Sequence, residues 1–316
     1  MSRTSGWRRL AAALLIGASA AFLGLTIARN WSELTRYQWE VRPARLILSV
    51  PALVLVFVWG IMVWHGVLRH FAEGRVPLPR LIRIWFLSSL TRYIPGKIWQ
   101  FVSAAQLAQA AGLSGIRLLT SLVVYTGFNL LSAAVAAAIT LPLAAYGFGR
   151  GAAVVVYGFA VASVLLVHPR VLNTFLDLLP RFLHRETLRW TGRWRDGLLL
   201  LLLAVVSWLL YGVAFTLLVT SLVRVPWSTV LPLAGVNALS FLAGYFVFVA
   251  PAGLGAREAV MTMLLGPYAP AGVAALVAVA ARLWTVAAEL LGAAIVLAVQ
   301  GKKKVAGPDP ADPAST

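Results

Sequence analysis

Two runs of this chain set cations and helix breakers into the middle of apolar stretches: Arg92-Tyr93-Ile94-Pro95-Gly96-Lys97-Ile98-Trp99 and Pro251-Ala252-Gly253-Leu254-Gly255-Ala256-Arg257-Glu258. The chemistry these residue types suit is anion capture. Pro95 and Gly96 end one half-helix, and Pro95 fits the first turn of the next, whose unpaired N–H groups would lie beside Arg92 and Lys97. In the second run Gly253 and Gly255 allow close backbone approach, and a helix starting near Ala256 carries Arg257 and Glu258 in its first turn. The helix dipole favours a carboxylate there, and Glu258 can also neutralise a cation from the first run.

A further candidate pair, Arg282 and Glu289, stands seven residues apart on one face of the last apolar segment. Counting Arg92, Lys97, Arg257 and Arg282 against Glu258 and Glu289 leaves two positive charges inside apolar segments. Each charge at a helix centre costs about 2.5–3.5 kcal/mol to insert, so such groups are retained for a purpose. An excess of cations suits a negatively charged guest. The purely structural alternative is mutual pairing and snorkelling, and it applies more to Arg282 and Glu289 than to the two breaks. Gln100, Gln106, Asn129 and Asn237 also sit in or near apolar segments; hydrogen bonding between helices is their ordinary role, and lining a polar path is the less common one.

The elements that position these residues follow from composition. Of 316 residues 60% are hydrophobic and 12% charged, and the mean hydropathy is +0.86. Apolar runs at 10–28, 46–68, 118–142, 151–167, 197–222 and 271–299 predict about six membrane-spanning helices, the first of them uncleaved. Segments 81–111 and 229–268 contain the two breaks. The net charge of +17 comes from Lys and Arg concentrated in short loops. Residues 3–9, 69–83, 168–196 and 302–304 are the basic ones, and the positive-inside rule sends all four, with both termini, to the cytoplasm of a cell membrane. Parity then requires 81–111 to enter and leave by the inner face and 229–268 by the outer. The expected fold is therefore all-α: a polytopic helical membrane protein with two broken re-entrant hairpins of inverted-repeat type. Loop 29–45 strains this scheme, because Arg29, Arg36, Arg42 and Arg45 must lie outside, only partly offset by Glu33 and Glu40.

One domain is expected over residues 1–300, followed by a disordered cytoplasmic tail at 301–316. The stretch 171–195 reads as one or two basic, partly amphipathic surface helices, with Phe175, Leu178, Leu179, Phe182 and Leu183 facing the membrane. Trp7, Trp31, Trp39, Trp190, Trp194 and Trp227 fit interfacial anchoring. There is no Gly-Lys-Ser/Thr phosphate loop, no His-Glu-x-x-His and no Gly-x-Ser-x-Gly, and the chain has no cysteine. The sequence thus predicts no enzyme, no cofactor and no metal, and the basic charge is assigned to lipid rather than nucleic acid.

At the two breaks the chain resembles the transmembrane region of the lysylphosphatidylglycerol synthase/flippase family. The resemblance rests on Arg92 followed by Pro95-Gly96-Lys97, and on Pro251 to Glu258, which is one glycine short of the family pattern at Ala252. It implies a flippase-like membrane region, with Arg92, Lys97, Arg257 and Glu258 as headgroup-binding residues. Full-length members continue into a soluble aminoacyl-transferase domain, an activity not carried over to a chain ending at Thr316. The expected function is translocation of an anionic or phosphate-bearing lipid between leaflets, such as an aminoacyl-phospholipid or a polyprenyl-phosphate-linked lipid. The expected site comprises Arg92, Pro95, Gly96, Lys97, Gly253, Gly255, Arg257 and Glu258, supported by Arg282 and Glu289. Two rival readings remain open. One is a non-transporting subunit that presents a lipid carrier to a separate lipid-modifying enzyme. The other is an intramembrane transferase using Glu258 and Glu289.

Overall fold

The computed structural model describes residues 25, 28–71, 76–93, 98–141, 143, 149–178, 188–246 and 255–305, with side chains as far as Val299. The expected first span at 10–28 lies almost wholly outside them, as do Pro95, Gly96, Lys97, Gly253, Leu179, Phe182, Leu183 and residues 306–316.

Eleven α-helices and no strand occur among the described residues. A short α1 (Trp31–Arg36) precedes α2 (Pro43–Leu68), α3 (Leu78–Ser89), α4 (Trp99–Ala110) and α5 (Gly115–Thr140). Then follow α6 (Arg150–Leu166), α7 (Pro169–Leu178), α8 (Trp194–Leu222), α9 (Val230–Phe246), α10 (Ala256–Leu265) and α11 (Ala271–Val305). Five stretches are long and apolar enough to cross a membrane: Pro43–Leu68, Gly115–Thr140, Trp194–Leu222, Trp227–Phe246 and Ala271–Val299. The helices α6 and α7 together would make a sixth, but they meet at 94°, so α7 lies across the end of the bundle rather than along it. Leu172 and Leu176 of α7 are buried, whereas Phe175 and Leu178 remain exposed on its other side. The protein is an all-α polytopic membrane protein.

Contacts between distant segments define the two ends of the bundle. At one end the Arg42 N–H donates to the Ser221 carbonyl at 2.9 Å, Arg45 lies over the Trp227 ring, and Glu33 Oε2 accepts the Gly272 N–H at 2.8 Å. At the other, Thr191 Oγ1 donates to the His70 carbonyl at 3.1 Å and Trp194 Nε1 to the Val164 carbonyl at 3.1 Å. The segment from Trp227 to Gly272 therefore starts and finishes at the same end, beside residues 30–45. The helix α5 ends at that same end, where a Cβ on Gly235 of α9 would meet Thr140 Oγ1 at 2.3 Å. The α3–α4 pair, set between His70 and the start of α5, opens at the opposite end. Two helical hairpins thus enter the bundle from opposite directions.

The hairpins are unequal. The two arms α3 and α4 have 12 residues each, about 18 Å, too short to cross hydrocarbon. The first arm of the second hairpin is longer than a dipping loop requires. With the 3-10 turn Trp227–Thr229 it reaches 20 residues, about 30 Å; Pro232 falls in the first turn of α9, where a proline is tolerated, and does not end it. Its partner α10 has only 10 residues.

Loop 30–45 is basic yet lies at the end away from the arginines around residue 190, and its ion pairs account for part of that charge. Glu40 pairs with both Arg42 and Arg224.

Helix α11 touches both hairpins, packing on α3 and on α10 as well as on α2. Small residues let it approach: a Cβ on Gly292 would lie 2.0 Å from the Phe86 ring of α3. The close seam between α8 and α9 is similar, with Gly212 against Ala234 at 2.4 Å by the same measure. Glycine and alanine at helix crossings bring backbones together where lipid gives no hydrophobic drive for association. Buried Trp64, Phe86, Phe128 and Phe215 fill the remaining volume.

Candidate functional site

The first break begins before its proline. At the end of α3 the hydroxyls of Ser88, Ser89 and Thr91 turn back onto the carbonyls of Trp85, Phe86 and Ser88, at 3.2, 2.9 and 2.7 Å. Such bonds compete with the helical ladder. Pro95 in addition disfavours helical geometry at the residue before it. The chain leaves α3 through a 3-10 turn, Leu90–Tyr93, which aims Arg92 inward.

The second break resumes as helix at Gly255. Its φ of +88° is a left-handed conformation that side chains resist, so glycine is required. The Gly255 N–H donates to Glu258 Oε2 at 2.7 Å, so the carboxylate caps the helix that carries it. The other oxygen, Oε1, accepts from Arg282 Nη1 at 3.0 Å.

Helix α11 therefore holds both hairpins by ion pairs of opposite polarity. Its Arg282 grips Glu258 at the start of α10, and its Glu289 grips Arg92 beyond α3, Nη1 to Oε1 at 2.9 Å. Arg282 and Glu289 pair with the two breaks and not with each other. The carboxylates are enclosed, at 6% and 0% exposure of their side chains, while Arg282 and Arg92 keep 21% and 30%. Arg257 differs: its Nη2 donates to Asn237 Oδ1 at 3.2 Å, and it pairs with no carboxylate among the described residues. Asn237 is 1% exposed, and its Nδ2 has no partner among the described residues, so its one visible task is to accept from Arg257.

All three guanidiniums line one cavity of about 280 Å³, between the arms of the two hairpins and helices α2, α5, α8 and α11. Neither Glu258 nor Glu289 is in its wall. Gln100 and Asn129 are, whereas Gln106 is exposed away from it. The aromatic wall was not anticipated from sequence: Trp85, Tyr125, Trp208, Tyr211 and Tyr245 face the cavity. The available signal was their position. These rings sit within apolar segments, where interfacial anchoring does not account for a Trp or Tyr. Arg92 lies over Trp85 at 5.7 Å, and Trp208 stacks on Tyr211 at 5.9 Å. Among the described residues no cluster of His, Cys, Asp and Glu could hold a metal.

An all-α bundle of apolar spans, with a cationic, aromatic cavity between two inserted hairpins, defines a class: an integral, polytopic membrane protein. The chain belongs to the family described as the lysylphosphatidylglycerol synthase TM region, whose sequence model matches residues 10–292. It is thus a multi-pass membrane protein of the lysylphosphatidylglycerol synthase/flippase type, matched to the membrane part of that system. No curated protein matches the chain.

Proposed function

We propose that this protein is a lipid translocase that carries a phosphate-bearing lipid between leaflets, without catalysing a reaction of its own. One observation supports this above the rest: Arg257 faces a cavity inside the bundle with a neutral amide where its two neighbours have carboxylates. A guanidinium held this way keeps its charge for a guest. The phosphate docks at Arg257, the rest of the headgroup occupies the cavity, and the acyl or prenyl chains stay in lipid. Arg92 and Arg282 strengthen the site as their ion pairs loosen. In the empty protein those pairs offset the cost of holding the two cations away from water. Hairpins inserted from opposite ends suit the alternation such transport needs, one hairpin being tied to each face. Residence in the cell membrane with both termini inside fits this reading.

Reconstitution into vesicles with a fluorescent anionic phospholipid tests it, by following leaflet transfer with dithionite quenching. The wild type is expected to accelerate transfer, and the Arg92→Ala/Arg257→Ala double variant to lose most of that acceleration. Equal rates for the two proteins would remove the proposal. Binding without transfer would instead favour presentation of a lipid to another enzyme.

A further inference from the structure

The wall of the cavity is specific about more than the phosphate. Arg92, Arg257 and Arg282 face it, and the two carboxylates that compensate them are turned into the surrounding packing. Among the described residues three positive charges stand against two negative, and Lys97, which the sequence sets in the same break as Arg92, lies outside them and adds to the excess, so the charge suits a phosphate ester. The remainder of the wall is uncharged. The side-chain amides of Gln100 and Asn129 have no hydrogen-bond partner among the described residues, so their donors and acceptors are open to a guest. Amides offer both functions at once, which is what a hydroxyl group requires. The rings of Trp208, Tyr211 and Phe241 add flat apolar surface beside them.

A headgroup with its own ammonium groups fits poorly here. It would stand among three guanidiniums with no described carboxylate in the wall to receive it. Aromatic faces can hold a cation, but these stand beside three guanidiniums whose charge opposes a further cation, and the Trp85 face already lies under Arg92. Resting on the translocase reading above, we infer that the headgroup this cavity accepts is a phosphate ester bearing an uncharged, hydroxyl-rich group. That class comprises glycosyl and polyol phosphate lipids, on either a diacylglycerol or a polyprenyl anchor, and it excludes cationic aminoacyl lipids.

The purified protein in nanodiscs, titrated with competing lipids and read by native mass spectrometry, decides the matter. The probes are phosphatidylinositol, a mannosyl-phosphoryl polyprenol, phosphatidic acid and lysylphosphatidylglycerol. One or both hydroxylated probes should bind about tenfold tighter than the other two, the discrimination expected when polar groups in a site are matched or left unpaired. Comparing the two hydroxylated probes identifies the anchor. The Gln100→Leu/Asn129→Leu variant should lose the preference over phosphatidic acid. The Asn129→Asp variant, which adds a wall carboxylate, should shift preference toward lysylphosphatidylglycerol; it serves as a second reading should the leucine pair fail to fold. Wild-type binding of lysylphosphatidylglycerol as tight as of phosphatidylinositol overturns the inference. So does a preference for hydroxylated heads that survives both variants. If phosphatidic acid binds equally well and depends on Arg257, the headgroup class falls while the anion site stands. If none of the four binds, both fall.

Discussion

At the scale of single residues, the contrast between Arg257 and its two neighbours governs the site. Glu258 and Glu289 compensate Arg282 and Arg92, and Asn237 compensates nothing: it accepts one hydrogen bond and leaves the charge in place. The Asn237→Asp substitution changes shape very little and supplies the missing carboxylate. It is expected to weaken binding of anionic lipid about tenfold, since a close opposite charge competes directly with the guest. Asn237→Leu removes the acceptor without adding charge and should weaken binding less. Lipid titration of both variants in nanodiscs checks the order; an Asp variant that binds as well as the Leu variant would show that charge on Arg257 is not what the site uses. The charged members were legible in the sequence because ionisable groups in apolar runs stand out. Their pairing was not. Residues seven apart on a helix are about 10 Å apart along its axis, so Arg282 and Glu289 needed partners that only other segments provide.

At the scale of elements, α11 is the spine. It meets α3 at Gly292, where the Phe86 ring occupies the space a side chain would need. Gly292→Leu must push α3 away, and overpacking of this kind costs about 1–3 kcal/mol. The expected result is a lower melting temperature in detergent together with weaker lipid binding, because Arg92 moves with α3. An unchanged melting temperature would mean the seam is looser than described. A second joint lies where α2 ends. His70 packs on Trp190 at 4.2 Å, and burial pushes its pKa below the usual 6.5; Asp196 pulls it up and Arg69 pushes it down, both less strongly. The folded form therefore favours neutral imidazole. As pH falls below about 6.5 the unfolded chain takes up a proton first, and stability declines until the lower folded pKa is reached. Limited proteolysis at Arg189 and Arg193 should accelerate between pH 7 and 5, and His70→Phe should flatten that dependence. Helix existence was readable from apolar run length. The end of α3 was not placed from sequence, because the hydroxyl-to-carbonyl bonds of Ser88, Ser89 and Thr91 unwind it before the proline does.

At the scale of the whole molecule, the two ends of the bundle differ in charge. Arg69, Arg170, Arg189, Arg193 and Arg195 gather at the end where α2 finishes and α8 begins, and pairs such as Glu40 with Arg42 and Arg224 mark the opposite end. By the positive-inside rule we propose that the first end faces the cytoplasm. The chain has no cysteine, so single cysteines at the exposed Arg69, Arg189 and Ser228 report cleanly. The first two should react with an impermeant maleimide only in inverted vesicles, and the third only in intact cells. The reverse pattern would invert the orientation.

By itself the sequence determined the class, the approximate spans and the residues whose charge had to be explained, because each of these follows from transferring a local segment from water to lipid. It also separated basic loops from apolar helices well enough to require two hairpins by parity. The tertiary structure decided which charge meets which, and with them the character of the site. Ion pairs across α11 join residues 24 and nearly 200 positions apart. The aromatic and amide wall draws on α2, α5 and α8 as well as on the breaks. Local transfer energies carry no information about which distant segments will pack together. Pairing and enclosure are properties of that packing, and they separate a cation that is neutralised from one left open to a guest.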